Sequence, residues 1–254
     1  MTEHEALQDF LLRMADSDMI LAQRLCELTG KAPALEEEMA LMNVALDLVG
    51  QARNWYEYAA EVKGNGLDAD LLAFRRDAHE YRNHLIVEQP NEDYAVTMGR
   101  QFFFDVWHYL TLKSLAKAKD ERIAGIAAKS LKEATYHLRR SSEWVVRMGD
   151  GTEESHRRMQ DAVDILWRFT GELTLPDEVD RIMFDMGIGP DPDQLKADWH
   201  EMVKNVLTEA TLEPGEEDAW MYLGGKRGEH TEHLGFILAE MQFLQRAYPD
   251  AKVW

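Results

Sequence analysis

The stretch Met39-Ala40-Leu41-Met42-Asn43-Val44-Ala45-Leu46-Asp47-Leu48-Val49-Gly50-Gln51-Ala52-Arg53-Asn54-Trp55-Tyr56 decides the fold. Its only charges are Asp47 and Arg53, and it is apolar nearly all round a 3.6-residue helix, so it predicts a central helix rather than a peripheral one. Asn43, Asp47, Gln51 and Asn54 fall about one turn apart and draw a polar line along one face. In a buried helix that line must be hydrogen-bonded, because an unpaired buried polar group costs about 1–3 kcal/mol. The helix opens after Pro33 with the acidic turn Glu36-Glu37-Glu38, which complements the positive end of the helix dipole. It runs to about Val62, ahead of Gly64 and Gly66.

Helical spacing continues on both sides. Leu7, Phe10, Leu11, Met14, Ile20, Leu21, Leu25 and Leu28 predict a first long helix from Glu3 to Thr29, stopped by Gly30 and Pro33. Residues 68–90 read as a shorter helix and a loop ending at Pro90-Asn91. A third long helix is expected from Asp93 to Ala118, through the aromatic run Phe102-Phe103-Phe104-Asp105-Val106-Trp107. A fourth is expected from Arg122 to Met148, ahead of Gly149-Asp150-Gly151. From Thr152 onward shorter helices are punctuated by Pro176, Gly187-Ile188-Gly189-Pro190 and Pro214-Gly215. Strand signals are nearly absent. The expectation is an all-α protein, a four-helix bundle with additional C-terminal helices. Residues 1–254 then form one domain, in which 1–150 supply the core helices and 151–254 pack on them.

Acidic residues outnumber basic ones 47 to 28, a formal net charge of -19, which sets the protein's field against phosphate backbones and anionic membranes. No apolar run approaches the roughly 20 residues of a membrane span. The N-terminus is acidic where a signal peptide is basic, and the single cysteine, Cys26, cannot close an intramolecular disulfide. A cytoplasmic protein that binds neither nucleic acid nor membrane is expected. Dinucleotide fingerprint, P-loop, cysteine cluster and serine nucleophile elbow are all missing from the sequence, so none of those chemistries is supported.

Several long motifs carry a resemblance. Leu46-Asp47-Leu48-Val49-Gly50-Gln51-Ala52-Arg53-Asn54, Lys132-Glu133-Ala134-Thr135-Tyr136-His137-Leu138-Arg139, Trp167-Arg168-Phe169-Thr170 and Gly224-Gly225-Lys226-Arg227-Gly228-Glu229-His230-Thr231-Glu232-His233-Leu234-Gly235 follow one another in this order. They closely resemble the structural-subunit (PaaC) family of phenylacetyl-CoA epoxidases, over essentially the whole chain. The resemblance implies a ferritin-like bundle. It also implies a non-catalytic role in a multicomponent monooxygenase of aerobic phenylacetate catabolism, beside a homologous di-iron catalytic subunit and a reductase component.

A di-iron carboxylate site takes Glu-x-x-His from each of two helices and one carboxylate from each of two others. Laid over the catalytic homologue's motifs, the resemblance puts Leu48 and Gln51 on the second helix and Ala134 and His137 on the fourth, with Glu27 and Asp105 at the remaining acidic positions. Leucine and alanine offer no lone pair, so the site reads as dismantled. No cofactor is expected on this chain, and the di-iron centre is expected in the partner. Glu27, Asp105 and His137 still resemble a facial set for one metal. The favoured alternative is a buried polar network balanced by Arg53, Arg100 or Arg139. For His137 a hydrogen-bonded core histidine is an equal reading.

The C-terminal turn offers a second candidate. Glycines with Lys226 and Arg227 at a helix start suit an anion such as a CoA phosphate, and His230 with His233 has a metal-ligand spacing. The expected role of Lys226, Arg227, His230, Glu232 and His233 is a subunit interface, and the isolated chain is expected to be able to self-associate. Two other readings stand beside the main one. The chain is itself a di-iron oxygenase or iron oxidase, or it is a ferritin-like scaffold of another pathway.

Overall fold

A computed structural model describes residues 1–216 and 219–251. Among the described residues all regular structure is helical, and the fold is an all-α bundle of the ferritin-like class. The helices are α1 (Glu3–Cys26), α2 (Leu35–Lys63), α3 (Ala69–Phe74), α4 (Tyr94–Leu115), α5 (Glu121–Gly149), α6 (Glu153–Trp167), α7 (Gly171–Thr174), α8 (Glu178–Asp185), α9 (Pro192–Glu209), α10 (Glu232–Met241) and α11 (Phe243–Ala247). Two 3-10 turns, Ala78–Glu80 and Leu85–Glu88, lie in the loop before α4.

Local chemistry explains the boundaries. The side chains of Asp93 and Asp120 cap α4 and α5 by accepting from backbone N–H groups of the first turn, and Pro192 follows its capping Asp191 at the start of α9. The first and third long helices end at Cys26 and Leu115, three residues before the expected Thr29 and Ala118. In both, the last carbonyls are taken by i to i+3 bonds: Leu28 and Thr29 donate to Leu25 and Cys26, while Lys117 and Ala118 donate to Ser114 and Leu115. That tightening ends the α-geometry while the apolar pattern runs on.

The chain forms two compact units. One comprises residues 1–6 and 90–223, the other residues 7–89 together with the chain from Gly224 onward. In the first unit α4 is the axis, buried on nearly every side and packed against α5, α6, α7 and α9. Its aromatic run meets small side chains. On α5 the buried positions Ile123, Ala127, Ser130, Ala134, His137 and Ser141 recur at alternating spacings of four and three, the seam spacing of closely packed helices. Gly99 allows the same close approach of α6, since a Cβ there would lie 3.0 Å from Met159 and 3.1 Å from Leu166. Phe103, Trp167 and Trp199 cluster with ring centroids 6.0–6.1 Å apart, joining α4, α6 and α9.

In the second unit α2 buries Leu41, Val44, Ala45, Leu48, Ala52, Trp55, Tyr56, Ala59 and Ala60. The expectation of a helix enclosed on all sides is not met. Leu35 and Leu46 are 71% and 70% exposed and Met39 lies open beside them. Along the polar line only Gln51 is buried, with Asp47 and Asn54 intermediate and Asn43 exposed. An apolar surround identifies a helix able to be buried and leaves open which sides neighbours cover within one chain. Asp16 of α1 organises this unit's interior. It accepts from Tyr56 Oη at 2.5 Å, from the Arg82 backbone N–H at 2.8 Å and from both terminal nitrogens of Arg76, whose guanidinium lies 4.2 Å from the Tyr81 ring centroid.

Candidate functional site

The candidate positions divide between the units. In the first, Asp105 on α4 is fully enclosed and accepts from Gln101 Nε2 and Ser141 Oγ, each at 2.7 Å. Burial pushes its carboxyl up to about 6, although the positive fields of His137 and Arg140 and the two hydrogen bonds pull the other way. One turn further along α4 lies His108, also fully enclosed, its ring against Phe104 at 5.2 Å and Trp107 at 6.2 Å. Burial lowers its imidazole to about 3, and the charge of His137 adds to that shift. His137 and Ala134 are buried on the α5 seam that faces α4. The cluster is therefore a desolvated carboxyl and two imidazoles, held by an amide and a hydroxyl.

His108 is a residue that the sequence reading missed. Its signal was available, because Asp105-x-x-His108 has the acid-to-histidine spacing sought on the other two helices. The balancing cation also differs from those expected. Arg53 and Arg139 are exposed and pair with Glu57 and Glu143 on their own helices. Arg100 is buried and donates to Asn91 Oδ1 at 2.7 Å. The arginine whose field reaches Asp105, alongside that of His137, is Arg140, buried on α5 and donating to Tyr94 Oη at 3.2 Å.

In the second unit Leu48 and Gln51 are buried on α2. Glu27 follows the last residue of α1 at the surface, and both its oxygens accept from Arg24 Nη1 at 2.9 Å. Arg24 also donates to the Glu88 carbonyl through Nε and Nη2. The fully buried carboxylates of α1 are Asp16 and Asp18, neither of which stood out by motif.

The C-terminal turn is engaged within its own unit. Glu88 accepts from His230 Nδ1 at 2.6 Å, from Thr231 N at 2.9 Å, from Thr231 Oγ1 at 2.6 Å and from Asn83 Nδ2 at 2.9 Å. His230 Nε2 lies 3.0 Å from the Tyr81 carbonyl, so both ring nitrogens face acceptors and a doubly donating ring satisfies the geometry. Gly228 has φ +83°, and a Cβ there would fall 2.1 Å from the His79 carbonyl oxygen, a position only glycine can occupy. Lys226 is buried, whereas Arg227 and Glu232 are exposed and His233 is intermediate. Of the five candidate interface residues, Arg227 and Glu232 thus present the most surface.

The sequence model of the family described as phenylacetic acid catabolic protein, PaaA_PaaC, matches residues 1–254. The chain belongs to this family. Among curated proteins it is similar to the component designated C of the 1,2-phenylacetyl-CoA epoxidase of Escherichia coli (strain K12), with 49% identity over 243 residues, covering 96% of this chain and 97% of that protein. The family match covers both units.

Proposed function

We propose that this chain is the structural, PaaC-type component of a 1,2-phenylacetyl-CoA epoxidase and supports a homologous subunit that carries the di-iron centre. The observation that carries this reading is the length of the match: 49% identity holds over 96% of the chain and 97% of a protein named as that component. Such a chain works as one part of a hetero-oligomer. Its partner uses O2 and electrons from a reductase component to epoxidise the aromatic ring of phenylacetyl-CoA.

The donor chemistry agrees with a non-catalytic role. A di-iron centre needs bridging carboxylates. At the positions the resemblance assigns to them stand Leu48 and Ala134, and Gln51 replaces an imidazole with an amide. Those residues do not fit iron, and no step of the reaction is assigned to this chain. What it contributes is a rigid helical scaffold. The Asp105 carboxyl is held by protein groups, accepting from Gln101 and Ser141 and lying in the field of Arg140. No helix among the described residues is long and apolar enough to cross a membrane.

The test is co-expression of an affinity-tagged form of this chain with an untagged di-iron homologue of the same family. Stoichiometric co-purification through gel filtration, with ring epoxidation only when both chains are present, is the expected result. Epoxidation by this chain without the homologue would favour the rival in which it is itself the oxygenase. Failure to form a complex would favour an unrelated scaffold.

A further inference from the structure

The outer face of α2 carries an open apolar stripe. Leu35, Met39 and Leu46 are each at least 60% exposed, Met42 is half-buried between them, and Gly50 and Arg53 continue the row at the surface. The six positions recur at spacings of four, three, four, four and three, which keeps them on one side of a 3.6-residue helix. A single exposed leucine needs no explanation, whereas a row of apolar side chains along one helix marks a contact surface. Gly50 points the same way. A glycine inside a helix costs about 0.5–1 kcal/mol relative to alanine. An added Cβ there would meet no atom within 4 Å among the described residues, so packing within the chain gives no reason for the glycine. Its missing side chain leaves room for one from another helix.

The stripe also identifies what fills it, because it is symmetric about Leu46. Met42 and Gly50 stand four residues to either side, and Met39 and Arg53 stand seven. Two copies of α2 laid antiparallel about a two-fold axis at Leu46 therefore set Met42 of each into the space at Gly50 of the other, a knob in a hole. Met39 then meets the aliphatic stem of Arg53. The Arg53 side chain is 75% exposed beyond its contact with Glu57, and its guanidinium reaches the acidic turn Glu36-Glu37-Glu38 that opens the other α2. Unlike charges meet across the seam. A parallel pairing would instead set the two acidic turns against each other and leave Gly50 facing Gly50.

We propose that this face of α2 is a self-docking surface, on which a second copy of the chain packs antiparallel with Leu46 at the two-fold axis. The paired strips are about 33 Å long and about 10 Å across, an area near the lower bound of roughly 1,200 Å² for specific pairs. The dimer is therefore reversible, with a dissociation constant on the order of micromolar. The inference concerns the chain alone and does not rest on its being an epoxidase component.

The experiment is sedimentation velocity of the full chain from about 1 µM to about 1 mM, where a monomer–dimer equilibrium is expected. Leu46→Glu sets two carboxylates at the axis and should raise the dissociation constant at least about tenfold. Gly50→Leu fills the hole and should weaken the dimer similarly while raising the melting temperature of the dilute chain, since leucine is the better helix former. That gain separates loss of docking from loss of fold. In a Cys26→Ser background, Leu46→Cys should give a covalent dimer on mild oxidation, because the axis brings the two thiols within disulfide reach. Leu35→Cys, about 33 Å from its counterpart, should not. A monomer at every concentration, a dimer that Leu46→Glu leaves unchanged, or equal cross-linking of the two cysteine variants would overturn the proposal. Protection of the Leu46→Cys thiol from alkylation only when a di-iron homologue is co-expressed would assign the stripe to that partner and overturn it as well.

Discussion

Replacing His230 by alanine tests how the chain after Gly224 is held. The Glu88 carboxylate has no exposed surface and the His230 side chain keeps only 4% of its own. Four donors reach the carboxylate, at 2.6, 2.6, 2.9 and 2.9 Å, and His230 is the only one of them able to carry charge. Removing one partner of a buried charge pair costs about 3–5 kcal/mol, because the other is left desolvated. The three neutral donors that remain place His230→Ala toward the lower end, about 3 kcal/mol. Glu88→Gln keeps the shape and removes the charge, and is expected to cost about 2 kcal/mol. The two changes share one interaction, so the double variant should fall short of their sum by about 1–2 kcal/mol. The assay is equilibrium urea unfolding of the four proteins, with amide exchange followed through Thr231–Met241. Protection in α10 should fall in both single variants. A loss below about 1 kcal/mol for His230→Ala, or additive single changes, would refute the argument that the charge pair latches this segment.

Three further outcomes follow from particular residues. Gly228→Ala should destabilise the chain by more than about 2 kcal/mol, since it adds left-handed strain to a clash with the His79 carbonyl, and thermal melting measures it. For pH, the two buried groups of the first unit oppose each other. The depressed imidazole of His108, about 3 when folded against an ordinary 6.5, contributes stability that is present above 6.5 and lost as pH falls toward 3. The raised carboxyl of Asp105, about 6 against an ordinary 3.8, contributes stability that is present below 3.8 and lost as pH rises through 6. Between about pH 4 and 6 the two slopes offset. His108→Gln removes one, so its stability relative to the native chain should rise from pH 7 to pH 5; denaturant unfolding at both values that shows no relative gain would contradict this assignment. Finally, Ala134→Glu, at a buried seam position, should cost several kcal/mol by placing a carboxylate where alanine packs, read as a lowered melting temperature in metal-free buffer.

How far the sequence could be read depended on what each residue touches. The long helices α1, α2, α4 and α5 were legible because apolar spacing and capping residues are local signals, and their ends shifted only where i to i+3 bonds took over the last turn. The openness of Leu35, Met39 and Leu46 was not legible, because an apolar pattern gives a preference for burial and names no neighbour. His230 and Lys226 resembled free interface groups by composition. The Glu88 carboxylate that receives His230 lies 142 positions away in sequence, and only the folded chain joins them. Arg140 and the exposed Arg139 differ by one position, a rotation of about 100° that turns a surface ion pair into a buried cation beside Asp105. His108 was legible in principle, since its spacing from Asp105 is a local signal on one helix.

The central claim is that this chain supports a di-iron partner and holds no di-iron centre itself. Elemental mass spectrometry tests it most directly, on the chain purified alone and on its complex with the catalytic homologue, both from iron-supplemented cells. The account predicts iron far below one equivalent in the isolated chain and two equivalents of iron per catalytic chain in the complex. Stoichiometric iron in the isolated chain would contradict it, and would mean that buried groups such as Asp105, His108 and His137 serve as ligands.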